Sequence, residues 1–163
     1  MRTPRVARRK GSLGLWLTDG PRCAILRSLM GGSAMRTVAG AYAAVAAGRW
    51  DEFASLLSPE LDWRGLVGED GVVPRCRGRS TALEMMARGR LAKREVDVSE
   101  FVERGNLVLA RVASVDADAH CSERFVLAEV IHGEIVRLHA VATEAEGRAA
   151  LERGTLADDG ADS

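Results

Sequence analysis

Apolar residues recur every three to four positions between Arg36 and Ala47, where Val38, Ala41, Tyr42 and Val45 fall on one helical face and Gly48 is placed to end the helix. The alanine-rich composition of this stretch favours the same element. A second, shorter helix is predicted over 50–57, with Trp50, Phe53, Leu56 and Leu57 on one side. Ser58-Pro59 stops it, because the residue before a proline avoids the helical region. Leu61 to Leu66 then reads as a short extended piece in which Leu61, Trp63 and Gly65 alternate with Asp62 and Arg64. Gly68, Gly71, Pro74 and Gly78 make 67–79 a loop. Thr81-Ala82-Leu83-Glu84 has the form of a capping box and opens a third helix to about Ala92, its apolar side built from Leu83, Met85, Met86 and Leu91.

Beyond residue 95 the apolar period changes from helical to two. The segments 96–103, 107–115, 121–131 and 134–142 are strand-like in length and in valine and isoleucine content. Gly105-Asn106 and His132-Gly133 are two-residue hairpin signals, so the strands should form an antiparallel meander. Thr143-Glu144-Ala145-Glu146 is a second capping box, opening a terminal helix to about Arg153. Helices followed by a sheet bury both apolar sets when the helices lie across one sheet face. The expected fold class is therefore α+β: a cone-shaped barrel of three N-terminal helices on a curved antiparallel sheet, with a short C-terminal helix. A sheet wrapped around helices encloses a pocket.

The 163 residues suit a single core. We expect the domain to occupy 35–154, preceded by a basic tail over 1–34 and followed by an acidic, frayed tail over 155–163. Residues 1–35 carry seven bases against the single acid Asp19, leaving 16 bases and 22 acids for the rest. An acidic domain is a poor match to a phosphate backbone, which argues against nucleic acid as a partner. Gly31-Gly32, whose codons would spell a ribosome-binding sequence ahead of Ser33-Ala34-Met35, lead us to expect Met35 as the start. No apolar run reaches the roughly 18 residues a membrane helix needs, and Leu13 to Leu17 is too short for the core of a signal peptide. Cys23, Cys76 and Cys121 are odd in number and widely spaced, which fits a reduced cytoplasm. Lys10 and Lys93 are the only lysines. That bias towards arginine points to a GC-rich, bacterial coding sequence.

In the order and spacing of these elements the chain resembles the nuclear transport factor 2-like superfamily, in particular its SnoaL-like branch of polyketide cyclases and ketosteroid isomerases. The resemblance is carried by 41–57 (AYAAVAAGRWDEFASLL), by Ser58-Pro59-Glu60-Leu61-Asp62-Trp63, by Arg77-Gly78-Arg79 and by Gly133-Glu134-Ile135-Val136-Arg137. It spans roughly 36–152 and implies the cone fold and a ligand pocket. The family's catalytic sets do not carry over intact. The isomerases' general-base aspartate would fall near Gly65, and their helix-one phenol near Ala41, with Tyr42 one residue away. The cyclases' terminal-strand acid has no counterpart in Leu138-His139-Ala140.

Counting outward from the His132-Gly133 turn sets Val130 opposite Ile135, Leu127 opposite Leu138 and Phe125 opposite Ala140. Phe125, Leu127 and Leu138 then share one face, which the resemblance implies is the concave one, and, with Trp63 and Met86, are the expected ligand-binding residues. His139, a side chain able to shuttle protons near neutral pH, falls on the convex face by this count. Glu100 interrupts the Val96, Val98, Val102 alternation, and Glu129 the Phe125, Leu127, Ile131 face. A carboxylate on an apolar face has its pKa raised and can act as a base, unless a bulge turns it outward. Glu100, Glu129, Tyr42 and His139 are thus the candidate catalytic residues. Arg75, Cys76, Arg77 and Arg79 form a basic cluster suited to an anionic ligand, its cations lowering the thiol pKa. His120, His132 and His139 lack metal-ligand spacing, so neither a metal nor a cofactor is expected.

The first expectation is a small-molecule-binding protein with a mostly apolar pocket. The alternatives are an isomerase or cyclase acting by proton abstraction, and a protein-interaction module working through its sheet. The convex face reads as mostly apolar, which leads us to expect a homodimer formed through it.

Overall fold

The computed structural model describes residues 32–66, 73–90, 95–115 and 121–156. The segment before residue 32, residues 67–72 of the expected loop, Leu91 and the acidic segment after residue 156 lie outside the described residues. Two helices, α1 (Ser33–Ala46) and α2 (Trp50–Ser55), lead into strand β1 (Leu57–Arg64). The short strand β2 (Arg75–Arg77) and helix α3 (Arg79–Arg90) follow. The meander comprises β3 (Glu95–Arg104), β4 (Leu107–Val115), β5 (Cys121–Ile131) and β6 (Glu134–Val141), and α4 (Glu144–Arg153) closes the order.

The six strands make one unclosed sheet in the order β2-β1-β6-β5-β4-β3. Its meander is antiparallel as expected. The sheet as a whole is mixed, because β1 lies parallel to β6. Two expectations for β1 and β2 are corrected. β1 begins at Leu57, four residues earlier than expected, and runs through Pro59, which is tolerated because the register with β6 shifts between Leu57 and Asp62. Arg75–Arg77, expected as loop, pairs with β1 as an edge strand.

Two cores share the sheet. On the inner side, Val38, Ala41 and Ala44 of α1, Phe53 of α2 and Ala82 of α3 pack on Leu57, Leu61, Val108 and Ala128. On the outer side, Ala150 and Leu151 of α4 and the following Leu156 cover Leu107, Leu109, Leu127 and Val141. The capping box at Thr143 forms: Glu146 N–H donates to Thr143 Oγ1 at 3.2 Å and Ala142 N–H to Glu146 Oε2 at 3.1 Å. Gly147 lets α4 sit close, since a Cβ there would come within 2.5 Å of Leu109. No helix among the described residues is long and apolar enough to cross a membrane.

The start of α1, at Ser33 rather than Arg36, is held by a residue far away in sequence. Glu103 of β3 accepts from Gly32 N–H at 2.6 Å and from Met35 N–H at 3.1 Å. A carboxylate there satisfies two otherwise orphaned donors and complements the helix dipole. Glu103→Ala should lower stability by about 1 kcal/mol, read as a shift in urea midpoint. Glu103→Gln should lose less, and an unchanged midpoint for the alanine variant would contradict this role.

Candidate functional site

Which side of the sheet each candidate occupies follows from the strand registers. Trp63 pairs with Cys76 and with Leu138, and Leu138 pairs with Ala128. Ala128 and Leu138 belong to the core beneath the helices, so this row faces inward. Leu83 and Met86 of α3 and Tyr42 of α1 pack against the same core. Trp63, Met86, Leu138 and Tyr42 are therefore all on the inner side of the cone.

Phe125 and Leu127 are on the other side, which corrects the register counted from the hairpin. The turn is as expected, with His132 and Gly133 both at positive φ (53° and 84°), and Val130 does pair with Ile135. One step later the register shifts between Glu129 and Val130, so that Glu129 meets Arg137 and Leu127 meets His139 rather than Leu138. Val136 is the extra residue of this bulge. Leu127 is fully buried against α4. Phe125 lines a depression of about 10 Å³ beneath the first turn of α4, with Val102, Leu109 and Arg148 among its other walls. That is the space of a single water.

Both candidate carboxylates also stand outside. A register shift between Val98 and Glu100 pairs Glu100 with Arg111, and its carboxylate lies 3.7 Å from Arg148 of α4. Glu129 is 3.5 Å from Arg137 and accepts from Asn106 Nδ2 at 2.9 Å. Neither lies on the apolar inner wall that would make it a poised base. Among the described strand residues, the carboxylate on the inner face is Glu103, and it is engaged at the start of α1.

His139 does fall on the outer face, and there it meets a group that the sequence did not single out. Asp62 of β1 lies one strand away, with its Oδ2 3.3 Å from His139 Nε2. Arg75 of β2 reaches the same carboxylate with Nε and Nη2, at 3.4 and 3.3 Å. Burial works to raise the Asp62 pKa, but the Arg75 hydrogen bond and the charges of His139 and Arg75 outweigh it and hold the carboxyl below its ordinary range. Burial pushes the His139 imidazole down, helped by Arg64 and Arg137 and opposed by Asp62. His139 is only 4% exposed. The alternation of Asp62 and Arg64 with Trp63 was the available signal for an outward-facing Asp62; its partner 77 residues away was not legible locally.

The basic cluster is dispersed in the same way. Arg75 pairs with Arg64, and Arg77 with Asp62, on the outer face, whereas Arg79 donates to the carbonyls of Ala54 and Leu57 at 3.3 and 3.2 Å and so closes the end of α2. Cys76 faces inward. Burial and the Asp62 charge raise its thiol pKa rather than lowering it. Among the described residues no group of three His, Cys, Asp or Glu side chains is placed to hold a metal ion.

Besides Glu103, the inner side carries the Tyr42 phenol, and Arg124 of β5, two residues before the core residue Val126, shares that face. Burial pushes the Tyr42 phenol far above its usual range, against the charge of Arg124 on β5. The arrangement offers apolar walls and a neutral hydroxyl donor.

No protein-family model matches the chain, and no curated protein matches it significantly. Among solved structures it is similar to a nuclear transport factor 2-like protein of unknown function from Burkholderia pseudomallei, with a TM-score of 0.59 and 16% identity over 71% of this chain and 95% of that one. It is also similar to TerC co-crystallised with polyporic acid, with a TM-score of 0.60 and 14% identity over 74% and 99% of the two chains. A protein assigned as a polyketide cyclase from Xanthomonas campestris gives a TM-score of 0.56 and 20% identity over 73% and 96%. These identities speak to fold alone, and the helices, curved sheet and closing helix agree with them: the chain has the nuclear transport factor 2-like fold, the α+β cone implied by its resemblance to the SnoaL-like branch.

Proposed function

We propose that the protein binds a small, mostly apolar molecule on the inner side of the cone, between α1, α3 and the sheet. The observation that carries this reading is the division of side chains between the two faces. Trp63, Met86 and Leu138 supply apolar surface inside with Tyr42 as a polar handle, a composition typical of ligand sites. Glu100, Glu129 and His139, which proton abstraction would need inside, are on the outer face in contact with Arg148, Arg137 and Asp62. Binding is therefore favoured over an isomerase or cyclase reaction. TerC, a neighbour in fold, was co-crystallised with a small organic molecule, which supports the same choice. The interaction-module reading weakens too, because the apolar part of the outer face is covered by α4 of the same chain and needs no second copy.

The test uses 2-acetonaphthone, a neutral aromatic ketone, in equilibrium dialysis. Saturable one-to-one binding is expected, with a Kd on the order of 10 to 100 µM for a ligand of this size. Met86→Trp, which fills the inner side, should abolish it while the circular dichroism spectrum stays unchanged. Unsaturable uptake, or binding indifferent to Met86→Trp, would sink the proposal.

A further inference from the structure

His139 on the outer face and Trp63 on the inner one are tied to the same short segment of β1. Pairing between β1 and β6 is irregular from Leu57 to Asp62 and then resumes, with Asp62 opposite Arg137, Trp63 opposite Leu138 and Arg64 opposite His139. β1 ends at Arg64, so these three pairs hold Trp63 against β6. On its other side β1 pairs with the three-residue strand β2, the edge of the sheet. Alternation turns Trp63 inward, to the proposed ligand, and Asp62 and Arg64 outward. A segment held by so few pairs next to a sheet edge belongs to the part of a fold that opens most readily.

The outer side of this segment is built around a buried histidine. Nε2 of His139 lies 3.3 Å from Asp62 Oδ2, an oxygen that also accepts from Arg75 Nη2 at 3.3 Å. The other charges acting on the imidazole are those of Arg64, across the β1 pairing, and of Arg137 on its own strand. Glu129 of β5 is paired with Arg137. From α4 and the residues after it, the neighbouring Leu127 and Val141 meet apolar side chains, Leu151 and Leu156. A proton on His139 therefore adds an imidazolium beside two guanidinium groups, out of reach of water, with a carboxylate that Arg75 already shares. Burying a charge in this way costs free energy, and like charges facing each other across a strand pair add to the cost. It is relieved when the Asp62–Arg64 segment and β2 move off β6 and admit water. From this placement we propose that His139 makes ligand binding pH-dependent: when it takes up a proton, the Asp62–Arg64 segment loosens, Trp63 shifts on the inner wall and the ligand is held less tightly. Histidine suits this task because its charge changes under mildly acid conditions. Burial pushes the His139 pKa down, so the neutral form that keeps the segment in place is the one present at pH 7.

This inference rests on the reading of the cone as a ligand site, and the experiment separates the two. The Kd of 2-acetonaphthone, which has no titrating group, is measured by equilibrium dialysis of the full chain from about pH 7.5 to 4.5, above the ordinary carboxylate range. Binding is expected to weaken about 5- to 10-fold across this interval, the usual size of a coupling between two sites. His139→Gln should keep its pH 7.5 affinity throughout. Asp62→Asn, which removes the charge that favours the imidazolium, should move the decline to lower pH. Hydrogen exchange read by mass spectrometry, corrected for the intrinsic effect of pH, should show residues 62–64 losing protection on acidification in the wild type and not in His139→Gln. A Kd that stays constant, one that weakens equally in His139→Gln, or weakening without loss of protection at 62–64 would overturn the coupling and leave the binding site standing. If the ketone does not bind saturably at pH 7.5, the cone is not a ligand site and both readings fall. Circular dichroism at each pH confirms that the fold is kept, and His139→Leu takes the place of His139→Gln should that variant fail to fold.

Discussion

Leu127→Ala is expected to lower the stability of the protein by about 2 to 5 kcal/mol, the range for truncating a fully buried leucine, and to leave ligand binding untouched. Leu127 has no exposed surface and lies with Leu109, Val141 and Leu151 in the core between the sheet and α4. Its removal forfeits transfer free energy and opens a cavity that α4 cannot easily collapse into. The close approach at Gly147, where Leu109 already fills the space a Cβ would occupy, limits how far the helix can move inward. For a chain of this length the loss corresponds to a fall in Tm of roughly 5 to 15 °C. Dialysis with 2-acetonaphthone below that temperature should give the wild-type Kd, because the inner wall is on the opposite side of β5. The reverse pattern, a small stability loss with weakened binding, would mean that Leu127 faces the ligand as its sequence position suggested.

That suggestion failed for a reason confined to one residue. The periodicity of 107–115 and 121–131 places β4 and β5 correctly to the residue, and the His132-Gly133 turn sets Val130 against Ile135 as counted. Hydropathy alone cannot show that Val136 bulges out of the pairing. Valine suits either face of a half-buried strand, and a single extra residue exchanges the faces of everything beyond it relative to the partner. The same physics turned Glu100 outward, through the shift after Val98.

Longer-range pairing was less legible. Nothing near Leu57 or Arg75 announces that β1 will lie parallel to β6 or that three residues of a glycine-rich stretch will form an edge strand, since such pairings are decided by contacts far apart in sequence. The Asp62, Arg75 and His139 cluster depends on both. By contrast, the capping box at Thr143 and the turn at His132 are local chemistry and were readable from a few residues.

The outer-face cluster makes the second large effect an acid-dependent one. Asp62→Ala should cost about 1 to 3 kcal/mol at pH 7, the penalty for leaving a buried donor unpaired, because it strips the acceptor from the buried His139 Nε2 as well as from the more exposed Arg75. The pH dependence follows from the directions of the pKa shifts. His139 has a folded pKa below its unfolded value near 6.5, so the unfolded chain binds protons first. Its contribution is present above that value and is lost as pH falls from about 6.5 through the folded pKa. Asp62, also depressed, contributes stability that is lost only below the ordinary carboxylate range near pH 4. The interval from about pH 6.5 to 4.5 therefore isolates the histidine. Urea midpoints should fall across it in the wild type and fall less in His139→Gln, which cannot take up the proton. In Asp62→Asn the imidazole loses the carboxylate charge that raises its pKa, so the decline should persist to lower pH before levelling. A wild-type midpoint that stays flat over this interval, or one that falls equally in His139→Gln, would show that His139 is not the buried neutral group described by its 4% exposure and its contact with Asp62.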